Sequence, residues 1–232
     1  LRNTYQLKEK NEALKAIHFP QSQEALARAQ YRMKFEELFF VQLQLGLKKQ
    51  HRKERIKGIP FPKIGTYFNR FFHEHLPFPL TEAQKRVVRE IRADLNSEAQ
   101  MNRLLQGDVG SGKTIVAVLC MLMALDNNVQ ATLVAPTEIL AQQHYSGIKA
   151  LLAPLGAEMG LLTGSVTKKA REPLFEKLAN GQLQILIGTH AVLEETVHFK
   201  QLGLAIVDEQ HRFGVAQRAK LWRKNSTPPN IL

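Results

Sequence analysis

Residues Gly107-Asp108-Val109-Gly110-Ser111-Gly112-Lys113-Thr114 follow the spacing G-x-x-x-x-G-K-[ST]. The chemistry open to such a segment is phosphate binding. Its glycines let successive backbone N–H groups turn toward one point, and a helix starting at its end adds the positive end of its dipole. Lys113 would reach the β- and γ-phosphates of a nucleoside triphosphate, and the Thr114 hydroxyl would ligate Mg²⁺. A plain Gly-rich turn can share the pattern. Context separates the two: a short apolar run, Arg103-Leu104-Leu105-Gln106, precedes the loop and an apolar helical run follows it.

A phosphate site of this type needs an acid at the end of a buried strand. Leu204-Ala205-Ile206-Val207-Asp208-Glu209 provides two. A wholly apolar strand suits the centre of a parallel sheet, whose C-terminal edge opens onto the ligand crevice. Asp208 is expected to hold Mg²⁺ through water, and Glu209 to orient and deprotonate an attacking water. ATP and Mg²⁺ are therefore the expected ligands. Three further strand ends carry small polar groups: Pro136-Thr137-Glu138, Thr163-Gly164-Ser165 and Gly188-Thr189-His190. On a parallel sheet they share one edge, where hydroxyls and free N–H groups suit a sugar-phosphate backbone. They also suit ordinary helix capping, and spacing alone does not choose.

The elements that must position these residues follow from periodicity. Strands are predicted at Arg103–Gln106, Thr132–Ala135, Gly160–Leu162, Ile185–Ile187 and Leu204–Val207, with helices at Thr81–Leu95, Lys113–Leu125, Glu138–Leu152 and Lys168–Asn180. Such alternation predicts an α/β fold, a parallel sheet flanked by helices, over residues 80–232. Residues 1–79 read as a mainly helical segment. A long helix runs from Glu24 to about Lys57, with Leu26, Ala29, Met33, Phe40, Leu43 and Leu47 on one stripe that Glu36 interrupts, and this stripe is expected to pack on a neighbouring domain. Tyr67 to Phe78 reads as a linker docking on the next domain. Its His73 and His75 lack the further ligands a metal site needs.

Composition is that of an ordinary globular protein, 44% apolar and 23% charged. Cys120, the single cysteine, has no disulfide partner, and no signal segment is visible, so a cytoplasmic location is expected. The longest apolar run, Ile115 to Leu125, is too short to span a bilayer. The net charge of +11 is concentrated in residues 1–79, with 15 Lys/Arg against 7 Asp/Glu. Lys48, Lys49, Arg52, Lys53, Arg55 and Lys57 form either a polyanion-binding patch or a solvated helix end. The chain begins without Met and stops at Ile231-Leu232, which reads as a fragment of a larger protein.

The order LTEAQ (80–84), GDVGSGKT (107–114), APTEILAQQH (135–144), LLTGS (161–165), GTHAVL (188–193) and VDEQHRFGV (207–215) resembles the first motor lobe of superfamily-two helicases. MNRLLQGDVGSGKT and DEQHRFGVAQR are similar, more narrowly, to the bacterial RecG family, which remodels stalled replication forks and branched DNA such as Holliday junctions in repair and recombination. The resemblance implies a RecA-like lobe with DNA-dependent ATPase activity over residues 80–232. Residues 1–79 would connect it to that family's DNA-gripping wedge. Gln84 would read the adenine edge, and Gln210 and His211 would couple hydrolysis to the DNA-bound state. Pro136, Thr137, Thr163, Gly164, Gly188 and Thr189 would meet the DNA backbone. A second motor lobe, with its arginine fingers, is implied as a partner and is not in these residues, so the chain alone is expected to be nearly inactive. The motor of the transcription-repair coupling factor shares the GDVG, GTH and RFGV elements, although Ser111 and Gln210 favour RecG. A nucleotide-gated adaptor without turnover is the alternative from another class, and the intact Lys113, Asp208 and Glu209 weigh against it.

Overall fold

The amphipathic stripe of the first helices builds one unit of the chain. In the computed structural model, which describes residues 1–222 and 224–232 apart from the side chains of Val215, Ala216 and Arg218, the units are Leu1–Arg55 and Ile56–Leu232. The first holds α1 (Lys10–His18) and α2 (Gln23–Arg55). Glu9 starts α1 by accepting the N–H groups of Asn11 and Glu12 at 2.7 and 3.2 Å. Ala13 and Ala29 are fully buried, and Tyr5 and Phe35 meet with ring centroids 5.1 Å apart. Glu36, which breaks the stripe of α2, forms ion pairs with Lys10 at 2.5 Å and Arg32 at 2.7 Å. Phe40, Leu43 and Leu47, further along the same stripe, are exposed. So are Lys48, Lys49, Lys53 and Arg55, whereas Lys57 lies in the second unit and pairs with Glu98 at 3.0 Å.

The second unit contains α3 (Thr66–Arg70), α4 (Glu82–Leu95), α5 (Lys113–Asp126), α6 (Glu138–Leu152), α7 (Lys168–Asn180) and α8 (Val215–Trp222). Its strands are β1 (Gln130–Val134), β2 (Met159–Leu162), β3 (Ile185–Gly188), β4 (Leu202–Val207) and β5 (Asn230–Ile231), in the spatial order β2-β3-β1-β4-β5 and all parallel. β1 and β3 are buried along their whole length, as a sheet covered on both faces requires. α5 is apolar all round because it is buried all round, from Ile115 through Leu125. Burial inside it pushes the Cys120 thiol up to about 12, which makes it inert at neutral pH. α4, α6 and α7 span the stretches that their apolar spacing predicts. Thr81 caps α4 in a full capping box with Gln84, and the Thr137 hydroxyl accepts the Leu140 N–H at 3.3 Å to start α6. Among the described residues, no helix is long and apolar enough to cross a membrane.

One expectation changes. Arg103–Gln106 is not a strand: pairing is confined to one bridge between Asn102 and Ile231, flanked by the Arg103 N–H to Ile231 O bond at 3.1 Å. The neighbour on that side, β5, is only two residues long and offers no partner beyond it, so Leu104 is left largely exposed. The two compact units divide in sequence between Arg55 and Ile56. Phe61 and Phe71 are buried in the core that holds Ile91 and Leu119, and the Asp126 carboxylate at the end of α5 accepts the N–H groups of Gly65, Tyr67 and Phe68 at 2.8, 2.9 and 3.1 Å. Those bonds, each charge-assisted, tie the segment before α4 to the helix that follows the Gly-rich loop.

Candidate functional site

The Gly-rich loop takes the conformation its glycines permit. Gly110 and Gly112 lie at φ +80° and +79°, in the left-handed region, and a Cβ at Gly112 would collide with the side-chain nitrogen of Gln84. α5 begins immediately after, so its free N–H groups face the loop. The Lys113 ammonium donates to the carbonyls of Gly107 and Asp108, both at 2.7 Å, which places a full positive charge inside the loop. Gly110, Lys113 and Thr114 line a cavity of about 590 Å³ whose other wall includes Asp208 and Glu209 at the end of β4. Residues far apart in sequence thus share one cavity, as the spacing of loop and acids predicts.

Asp208 is held from a third direction. His144, on α6, lies 2.8 Å from its Oδ2. An ionised carboxylate only accepts, so the imidazole donates its Nε2–H. That bond draws the Asp208 carboxyl below its ordinary range against the opposing effect of burial, and the His144 charge, the Glu209 N–H and the Lys113 ammonium lower it further. Glu209 adopts φ 51° and ψ 48°, a left-handed geometry that costs a residue with a Cβ about 1–2 kcal/mol. Its carboxylate lies 3.4 Å from His211 and 3.9 Å from Arg212. The Thr114 hydroxyl and the Asp208 carboxylate are hard oxygen donors of the kind Mg²⁺ takes. Among the described residues no cluster of three His, Cys, Asp or Glu could hold a metal ion.

The residues assigned by resemblance divide. Gln210 lines the same cavity, and His211 is exposed beside Glu209. Gln84 uses its amide at both ends: Oε1 accepts the Thr81 N–H and Nε2 donates to the Ser111 carbonyl, each at 2.9 Å. An adenine edge would have to exchange for these partners. The tail of the DEQHRFGVAQR motif, at Val215, Ala216 and Arg218, lies outside the described side chains.

The parallel register brings the C-terminal ends of β1, β2 and β3 to one edge, as expected. There Thr137 and Gly164 are exposed and Pro136 is half-buried, but Thr163, Gly188 and Thr189 are buried. Gly188 lies against β2 so closely that a Cβ would overlap the Leu162 carbonyl. The accessible groups of the rim are therefore Thr137, Glu138, Gly164, Ser165 and His190. Sequence reasoning passed over what holds this rim. Glu138 accepts the Ser165 N–H at 3.1 Å and hydroxyl at 2.9 Å, while Arg171 donates to the carbonyls of Val166 at 3.0 Å and Thr163 at 3.1 Å and pairs with Glu194 at 3.1 Å. His144 was likewise passed over, since only the tertiary structure brings it to Asp208.

The family model described as DEAD/DEAH box helicase matches residues 81–229. The chain belongs to the DEAD/DEAH box helicase family. Within it, the chain is similar to the ATP-dependent DNA helicase RecG of Synechocystis, 46% identical over 98% of this chain and 27% of the relative. It is also similar to that of Bacillus subtilis, 46% identical over 98% of this chain and 33% of the relative. A solved structure of RecG bound to a three-way DNA junction superposes with a TM-score of 0.82 at 41% identity, covering 99% of this chain and 31% of that one. The chain thus spans about a third or less of the length of the helicases it matches, and its sheet is the RecA-like sheet of these proteins.

Proposed function

We propose that the chain is the nucleotide-binding lobe of an ATP-dependent DNA helicase or translocase that remodels stalled replication forks and other branched DNA, Holliday junctions included, in repair and recombination. The observation that carries this reading is the one cavity shared by Lys113, Thr114, Asp208 and Glu209. The names of its relatives narrow the substrate: they are DNA helicases, and one is bound to a three-way junction. The lobe itself occupies residues 80–232, with 1–79 as the helical connection to a wedge, and a second motor lobe belongs to the same protein. Its place is the cytoplasm, where bacterial DNA lies.

In this reading the loop N–H groups receive the ATP phosphates and Lys113 neutralises the β- and γ-phosphates. Thr114 and Asp208 hold Mg²⁺, which when bound offsets the charge of the phosphate oxygens. Glu209 takes a proton from the attacking water as its oxygen bonds to the γ-phosphorus and the bond to the β-phosphate oxygen breaks, so that ADP and phosphate leave. To do so it must leave His211 and Arg212, which makes the Glu209-Gln210-His211 turn the natural place for coupling to DNA. Thr137 and Gly164, with Pro136 and the backbone near Thr163, Gly188 and Thr189, meet the sugar-phosphate chain.

Linkage supplies the test. If DNA and nucleotide favour the same state of the chain, each must tighten the other equally. In the whole protein, with its wedge and second lobe, a forked junction is expected to raise the affinity for a non-hydrolysable ATP analogue about fivefold or more, and by more than a linear duplex of equal length does. Fluorescence titration with and without each DNA measures this; an affinity indifferent to every DNA would contradict the reading.

A further inference from the structure

We propose that His144 is a positioning residue for the Mg²⁺-nucleotide site and that, through it, α6 links that site to the strand-end rim. The inference rests on the proposed function and extends it to a helix that carries none of the loop or acid residues. α6 starts at the rim: Thr137 caps it and Glu138, its first residue, holds the backbone and hydroxyl of Ser165. About two turns beyond the cap, the same helix presents His144 to Asp208. One rigid element is therefore bonded at one end to the rim and at its middle to the acid expected to hold the metal.

A single bond of this kind has a large effect because of what it restricts. A carboxylate on a strand end can rotate, and a metal held through it is held only as well as the rotation is fixed. With Oδ2 engaged by the imidazole, Oδ1 keeps one direction. The His144 and Asp208 side chains are 19% and 34% exposed, so the pair is sheltered from bulk water that would compete for the bond. Packing of α6 does not depend on His144, since Ala141, Ile148 and Leu152 are the residues it buries. Groups that orient a metal-binding carboxylate change metal affinity about 10- to 100-fold when removed.

The test compares the chain with His144→Ala and with His144→Gln, which keeps an N–H donor of similar reach. The affinity for a non-hydrolysable ATP analogue is measured with and without Mg²⁺, and hydrogen exchange is followed along residues 138–152. In the unaltered chain Mg²⁺ should tighten binding and the Mg²⁺-nucleotide should slow exchange in α6. In His144→Ala the tightening should fall about tenfold or more and the protection of α6 should vanish, with partial recovery of both in His144→Gln. Equal tightening in all three proteins would overturn the inference. So would a loss in His144→Ala that is the same with and without Mg²⁺, or an exchange response untouched by the substitution. If the unaltered chain bound no analogue even with Mg²⁺, the proposed function itself would fall, and this inference with it.

Discussion

In the whole protein, with its second motor lobe, Glu209→Gln is expected to lower ATP turnover by about 10²–10⁴-fold while leaving the affinity for ATP almost unchanged. The amide keeps the size of the side chain and its left-handed backbone, but it cannot take a proton from water. Affinity should persist because the groups proposed to receive the phosphates are Lys113, Thr114 and the loop N–H groups, none of which the substitution touches. The contacts to His211 and Arg212 should weaken as well, so the turn is expected to loosen. Single-turnover phosphate release together with equilibrium binding separates the two effects. A nucleotide-gated adaptor would show little change in either, and a parallel loss of binding would assign Glu209 to the phosphates instead of to water.

Lys113→Ala is expected to act on the other side, on binding itself. Its ammonium contacts two loop carbonyls at 2.7 Å, and it is the group proposed to meet the terminal phosphates. Charge-assisted bonds contribute about 1.5–3 kcal/mol each, so the loss of those to two phosphates should weaken ATP binding by about 10²-fold or more. Adenosine, which lacks phosphates, should be insensitive to the same change. Isothermal titration with both ligands checks the prediction, and an equal loss for both would mean that the loop had lost its shape.

The parts of this site that were legible beforehand are those that local physics dictates. A loop that must turn its N–H groups inward needs glycine at fixed positions, and Gly110 and Gly112 do lie at positive φ. α6 and α7 occupy the stretches that their apolar spacing predicts, because capping at Thr137 and the left-handed Gly181 after α7 are written in adjacent residues. What escaped depends on partners distant in sequence. Arg103–Gln106 has the composition of a strand, but β5 bridges only Asn102, the residue before it. The docking of the segment before α4 is expected from its aromatics, but the Asp126 carboxylate that binds three of its N–H groups lies about sixty residues away in sequence. Thr163 and Thr189 look like surface hydroxyls in sequence, yet they are 4% and 1% exposed. The left-handed turn at Glu209 has no sequence signal either, since a glutamate there is against the local preference.

That one Mg²⁺-nucleotide is gripped from both sides, by the lysine of the loop and by the strand-end acid, is open to a double-mutant cycle. Affinity for a non-hydrolysable ATP analogue in the presence of Mg²⁺ is measured for the chain, Lys113→Ala, Asp208→Asn and the pair. Groups that hold a common ligand should couple, so the losses of the two single variants should exceed that of the double variant by about 1 kcal/mol or more. Strict additivity, with each substitution weakening binding by the same factor whether or not the other is present, would mean that Lys113 and Asp208 do not serve the same ligand.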